Sequence, residues 1–269
     1  MINYNKICNS IRRDILEMIF KSRSSHIGSS LSCVDILTVL YFRILRINPQ
    51  KPLANNRDRF IMSKGHAVAA LYAALAERGF FHKKLLQKYC ANGSNLPGHP
   101  VIRSVPGIEV STGSLGHGLA IANGMALVSK RDKKKYRVFV LLSDGECDEG
   151  STWEAVLFAS HNKLDNLVAI IDYNKWQAFG RIKDVLNLEP FAQKWKDFGW
   201  VVKEVNGHNS QEIYQSLKKI PFKKNKPSVL IAHTLKAKGL PFLEDKLESH
   251  YRPPTEEEYK IGIKEINNL

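Results

Sequence analysis

Two short, nearly unbroken apolar runs, YRVFVLLSD (136–144) and NLVAIIDYN (166–174), constrain this chain more than any other feature. A strand with one wet face alternates apolar and polar residues, whereas a run that is apolar throughout suits a strand covered on both faces. Between the two runs, STWEAVLFASHNK (151–163) reads as a helix opening at Ser151 or Thr152. Strand, helix and strand in such close succession form a βαβ unit, whose crossover is right-handed. WVVKEV (200–205) and PSVLIAHT (227–234) are further strand candidates, with SQEIYQSLKK (210–219) as the helix between them. The predicted fold is therefore α/β, a mainly parallel sheet sandwiched by helices. Ligands of such folds bind beyond the carboxyl ends of the strands.

The first third reads as helical. Ile11, Ile15, Met18 and Ile19 recur at helical spacing. Ser32 followed by Asp35 has the form of a capping box ahead of Ile36, Leu37, Val39 and Leu40. A third helix runs through AVAALYAALAERG and stops at Gly79. No repeat or flexible linker divides the chain, so residues 1–269 are expected to form one domain. A hydrophobic share of 43% excludes disorder. No apolar run reaches the roughly 18 residues of a membrane span. The opening MINYNKICNSIRRD lacks a signal-peptide core, which points to the cytoplasm. Cys8, Cys33, Cys90 and Cys147 lie far apart and are read as buried free thiols. The net charge of +14 sits partly in KRDKKKYR (130–137) and KKNK (223–226), read as solvated connections. No basic stripe interleaved with aromatics appears, so nucleic acid is not expected as a partner. A phosphate-bearing ligand needs only a few of these charges.

Asp144, followed by Gly145, falls where the first central strand ends, and Asn174 falls just past the next. Neighbouring strands of a parallel sheet end on one edge, so a carboxylate and an amide oxygen 30 residues apart can converge. Hard oxygen donors beside a phosphate-bearing cofactor suit Mg²⁺. Gly145 lets a diphosphate approach the backbone, and a helix opening near Ser151 adds N–H groups facing the same region. Both residues also suit the turns that commonly follow strands, and spacing alone does not establish a metal site.

The segment SDGECDEGSTWEAVLFASHNKLDNLVAIIDYN resembles the thiamine-diphosphate signature, a Gly-Asp-Gly followed some 30 residues later by Asn, with Ser143 in place of the first glycine. SSHIGSSLSCVDIL (24–37), RFIMSKGHAVAALYAALAERG (59–79), LPGHP (96–100), STGSLGHGLAIANGMAL (111–127) and the region of His250 after TLKAKG narrow the resemblance. Taken in order across nearly the whole chain, they are similar to transketolase, but only to its cofactor-diphosphate domain. The chain thus resembles the N-terminal subunit of a split transketolase, with the pyrimidine-binding and C-terminal domains on a second polypeptide.

The resemblance implies a set of roles. Asp144, Asn174 and the carbonyl of Trp176 match the metal ligands for Mg²⁺, for which Ca²⁺ or Mn²⁺ can substitute. Gly145 matches the glycine beside the diphosphate, and Gly113 and Leu115 match residues facing the aminopyrimidine side. Glu149 matches an acidic residue at the interface that links the two active sites of a dimer. His26, His66, His99 and His250 match histidines around diphosphate and substrate, where an imidazole titrating near neutrality can both take and return a proton. The implied activity is transfer of a two-carbon ketol unit from a ketose phosphate to an aldose, by a heterotetramer with two-fold symmetry. The glutamate that activates the aminopyrimidine belongs to the partner chain. Two alternatives share the fold: another thiamine-diphosphate enzyme subunit, such as the alpha subunit of a 2-oxoacid dehydrogenase, and a non-catalytic homologue.

Overall fold

One parallel sheet organises the chain, and its strands end together at the edge where the histidine-bearing segments gather. A computed structural model describes residues 2–269. Helices α1 (Tyr4–Ser22), α2 (Ile27–Ser32) and α3 (Val34–Val39) precede strand β1 (Arg59–Met62) and helix α4 (Val68–Arg78). After a long irregular stretch come α5 (Gly118–Arg131), β2 (Val138–Ser143), α6 (Gly150–His161) and β3 (Leu167–Tyr173). A tight hairpin, β4 (Trp176–Gln177) and β5 (Gly180–Arg181), leads into α7 (Ile182–Val185) and α8 (Phe191–Asp197). The remainder is β6 (Val201–Asn206), α9 (Ser210–Leu217), β7 (Ser228–His233) and α10 (Glu256–Asn267).

The five-stranded sheet has the order β1-β2-β3-β7-β6, and every neighbouring pair is parallel. β2 and β3 are buried along their whole length, as their apolar runs require. Their alternate residues feed two cores. Phe139, Leu141, Val168 and Ile170 pack with α1, α3, α4 and α9, while Val138, Val140, Leu142, Ala169 and Ile171 pack with α5, α6 and α8. Each fully buried Val, Leu or Ile contributes about 1.5–3 kcal/mol, so the sheet is a rigid platform. Among the described residues no helix is long and apolar enough to cross a membrane.

The expected strands and the helix ending at Gly79 appear, Gly79 taking the left-handed cap with φ 92°. Two readings are corrected. Ser32 does not cap a helix: it is the last residue of α2, and its hydroxyl donates to Asp172 at 2.5 Å and to the Ser29 carbonyl at 3.1 Å. Asp35 is engaged by Arg12 and His208 instead of by a helix terminus. Buried partners outcompete the local bonds that a capping box needs. The four cysteines are free, but Cys90 is exposed, because it lies in the irregular stretch between α4 and α5.

Candidate active site

The carboxyl ends of β1, β2, β3 and β7 deliver the site. Past β1, Lys64 precedes a single helical turn, Gly65–Ala67, that carries His66. Past β2 comes Asp144 and the turn Gly145–Asp148, and past β3 comes Asn174. Past β7 the chain runs through Lys236 towards the turn Leu247–His250. His26 stands at the start of α2, and His99 enters from the irregular stretch before α5.

These four histidines, separated by up to 224 residues in sequence, form one cluster. The His26 ring lies 4.8 Å from that of His250, 5.3 Å from that of His66 and 6.3 Å from that of His99, between centroids. His66 and His250 are 5.7 Å apart. His26 holds a left-handed backbone, φ 72°, costly for a side chain of this size. Its N–H donates to the His250 carbonyl at 2.9 Å, and its Nδ1 lies 2.9 Å from the Ser25 hydroxyl. Gly113 makes room for the cluster: a Cβ there would fall 2.9 Å from the His99 ring.

Burial first, and neighbouring positive charge second, keeps these rings neutral. His26 is lowered to about 4 by burial, His99 and Lys236, and His250 to about 3 by burial and Lys236. His66 is pushed well below its usual value by burial and Lys64. His99 is lowered by burial alone.

Two buried ionisable groups beside the cluster have no oppositely charged side chain in hydrogen-bond contact among the described residues. Among the described residues, the carboxylate of Asp144 accepts only backbone N–H groups, from Gly145 at 2.9 Å and Lys175 at 2.5 Å. Burial and the neighbouring Asp172 raise it to about 7. The Asn174 Oδ1 lies on the same edge and accepts from the Trp176 N–H at 3.0 Å, while its amide nitrogen is 3.4 Å from Asp172. This set of oxygen donors, with a carboxylate short of positive charge, fits a hard divalent cation. Lys236 is fully buried, and its one side-chain hydrogen bond among the described residues is to the His250 Nδ1 at 3.4 Å. Burial and Lys64 lower it to about 8. An ammonium and neutral imidazoles facing one space fit a phosphate-bearing anion.

Several groups here are not singled out by the sequence. Lys64 donates to the Asp172 carboxylate and to the Ser29 carbonyl, at 3.0 Å, all inside the wall of the pocket. A signal is present, since Asp172 is the one carboxylate within an otherwise apolar strand. Glu146, raised to about 7 by burial, accepts from the Ser63 hydroxyl, from the Gly116 N–H at 3.0 Å and from the Ser143 N–H at 3.4 Å. It ties the loop of Gly113 and Leu115 to the end of β2. Ser143, the departure from the signature, uses its hydroxyl to accept the Glu146 N–H at 3.2 Å. At Gly145 a Cβ would also meet the Gln177 Cβ at 2.8 Å, so a side chain is excluded there by the fold itself. Leu115 is half-buried near this loop, and Glu149 is exposed at the start of α6, outside the histidine cluster.

Residues 3–266 match the family model described as transketolase, thiamine diphosphate binding domain. The chain is 44% identical over 256 residues to one of the subunits of the apulose-4-phosphate transketolase of Phocaeicola vulgatus, covering 95% of this chain and 91% of that protein. It is 43% identical to a 6-deoxy-6-sulfo-D-fructose transketolase subunit of a Clostridium species, over 96% of this chain and 94% of that one. Among solved structures, the transketolase of Campylobacter jejuni superposes with a TM-score of 0.92 at 32% identity. That match covers 99% of this chain but only 43% of the other.

Proposed function

Since this chain belongs to the transketolase family, as a subunit that carries the thiamine-diphosphate-binding domain, we propose that it moves a two-carbon ketol unit from a ketose phosphate to an aldose acceptor together with a separate partner chain. The observation that carries this reading is the gathering of Asp144, whose carboxyl meets only backbone N–H groups, and Lys236, which contacts no carboxylate, beside a cluster of four histidines.

Asp144, the Asn174 Oδ1 and the Trp176 carbonyl would hold Mg²⁺, with Ca²⁺ or Mn²⁺ as substitutes. Lys236, His66 and His250 would face the diphosphate, with the Gly145 backbone beside it. Gly113 and Leu115 would face the aminopyrimidine side. Bound there, thiamine diphosphate supplies a carbanion-stabilising centre. The chain's own residues supply positions and protons. A neutral imidazole accepts a proton from a donor hydroxyl and returns one to an acceptor carbonyl oxygen. An anion beside Lys236 cancels part of the field that depresses His26 and His250, so ligand entry shifts both rings back towards the working range.

α5 and α6 pack against each other and leave Ile121, Val128, Leu157 and Phe158 exposed on their outer side. We place the contact between two copies of this subunit on that face, with Glu149 at its margin, in a cytoplasmic heterotetramer of two-fold symmetry. Nucleic acid and membrane have no part in this reading. The test is co-purification from the native host, followed by intact-mass analysis and a ketol-transfer assay. A stoichiometric partner, bound thiamine diphosphate and turnover by the complex alone are expected. Full turnover by the isolated chain, or no cofactor retained by the complex, overturns the reading.

A further inference from the structure

His208 lies outside the histidine cluster, between β6 and α9, yet both of its ring nitrogens are committed. Nδ1 is 3.0 Å from the Asp35 Oδ2, and Nε2 is 2.8 Å from the backbone nitrogen of Leu235. A backbone N–H can only donate, so Nε2 must present its lone pair, and the ring proton must sit on Nδ1 facing the carboxylate. Asp35 takes a second bond from Arg12 at 2.5 Å. Burial would raise the Asp35 carboxyl, but the bonds from His208 and Arg12 outweigh it and hold the group ionised. Arg12 on α1 and Asp35 on α3 therefore fix the ring from one side, and the ring fixes Leu235 from the other.

Leu235 directly precedes Lys236, and the segment that carries them is short, held at Thr234 by its hydroxyl to Asp172 and otherwise by backbone bonds. Thr234 N–H donates to the Tyr173 carbonyl at 3.2 Å, and Ala237 N–H donates to the Gly28 carbonyl at 3.0 Å. Between these two anchors, the Leu235 amide has His208 as its partner. We propose that His208 is a positioning residue: it transmits the Arg12–Asp35 anchor to the Leu235 backbone and so holds the Lys236 ammonium against His250. The proposal rests on the reading that Lys236 faces the diphosphate only for its functional meaning, not for the geometry.

The test is the rate of reductive methylation of each lysine in the purified full-length chain, read by peptide mass spectrometry, with no cofactor present. Lys64, equally buried but held by Asp172, serves as the internal control. His208→Gln retains an amide oxygen that reaches Leu235. The shorter amide of His208→Asn reaches Asp35 but not Leu235. Methylation of Lys236 is expected to rise about ten-fold in His208→Asn, the loss of one backbone bond, and to stay near the wild-type rate in His208→Gln, with Lys64 unchanged in both. An unchanged Lys236 rate in His208→Asn overturns the proposal, as does an equal rise at Lys64 or an equal rise in His208→Gln. Adding thiamine diphosphate with Mg²⁺ to the wild-type chain is a separate arm. Failure to slow methylation at Lys236 counts against the functional reading and leaves the role of His208 standing.

Discussion

Lys64 and Lys236 are both fully buried, both lie just past the end of a sheet strand, and both stand close to the histidine cluster, yet their surroundings are opposite. Lys64 meets the Asp172 carboxylate, and the attraction outweighs burial enough to raise its pKa. Asp172 is in turn bonded by Ser32 and Thr234. Lys236 has no carboxylate in contact among the described residues, and burial lowers it to about 8. A buried charge with a complete set of partners is part of the wall. One left without a partner is a cost to the fold that a ligand can remove.

Breaking the first of these charges has the largest expected effect. Lys64→Met leaves Asp172 buried and unpaired, a loss of about 3–5 kcal/mol, seen as a large fall in the denaturation midpoint. Replacing both partners, Lys64→Met with Asp172→Leu, recovers much of that loss. Equal damage from the single and double variants would show that the pair is not the unit. Lys236→Met removes a buried charge that no carboxylate contacts among the described residues, so stability stays within about 1 kcal/mol of wild type or rises. Affinity for thiamine diphosphate with Mg²⁺, measured by calorimetry on the two-chain complex, falls by about ten- to a hundred-fold, the loss of one charge-assisted contact. A strongly destabilised Lys236→Met chain with normal affinity would invert the comparison.

The histidines sharpen it through pH. His26 at about 4 and His250 at about 3 lie below the ordinary histidine value of 6.5, so the unfolded chain binds protons that the folded one refuses. The stability held above pH 6.5 is lost as pH falls from there towards 4. Allowing for partial exposure, the loss is on the order of 1–2 kcal/mol. The carboxyls of Asp144 and Glu146, raised to about 7, act in the opposite direction over this range, so the measure is the difference in pH dependence between the wild-type and His26→Gln chains, by chemical denaturation at pH 7 and pH 4.5. Equal dependence in the two chains would show that the His26 ring is not held neutral.

What the sequence shows and what it hides follow from the range of each interaction. β2 and β3 are legible because burial on both faces is written into nine consecutive residues. β1 is not legible as a strand, because Arg59–Met62 is only four residues long and opens on a charge. The last helix, α10, also goes unpredicted, although Thr255 and Glu258 form a true capping box at its start. The four histidines carry no spacing that announces their convergence. They stand out because the segments around them resemble a family, whereas the burial that sets Lys236 and Glu146 apart is not written in their own polar stretches of sequence.

The two capping-box patterns give the smallest and most local test. Thr255 and Glu258 exchange both bonds of a cap, whereas the Ser32 hydroxyl has turned to Asp172 and so belongs to the Lys64 side of the comparison. Ser32→Ala should cost about 1 kcal/mol in the wild-type chain, the net worth of one buried hydrogen bond. In the chain that already carries Lys64→Met and Asp172→Leu, only the Ser29 carbonyl remains as its acceptor, and the same substitution should cost measurably less. A helix cap acts on its own helix and would cost the same in both backgrounds. Denaturation midpoints of the four chains therefore decide between them. Non-additivity assigns Ser32 to the buried charge network, and additivity would return it to the helix end that its spacing first suggested.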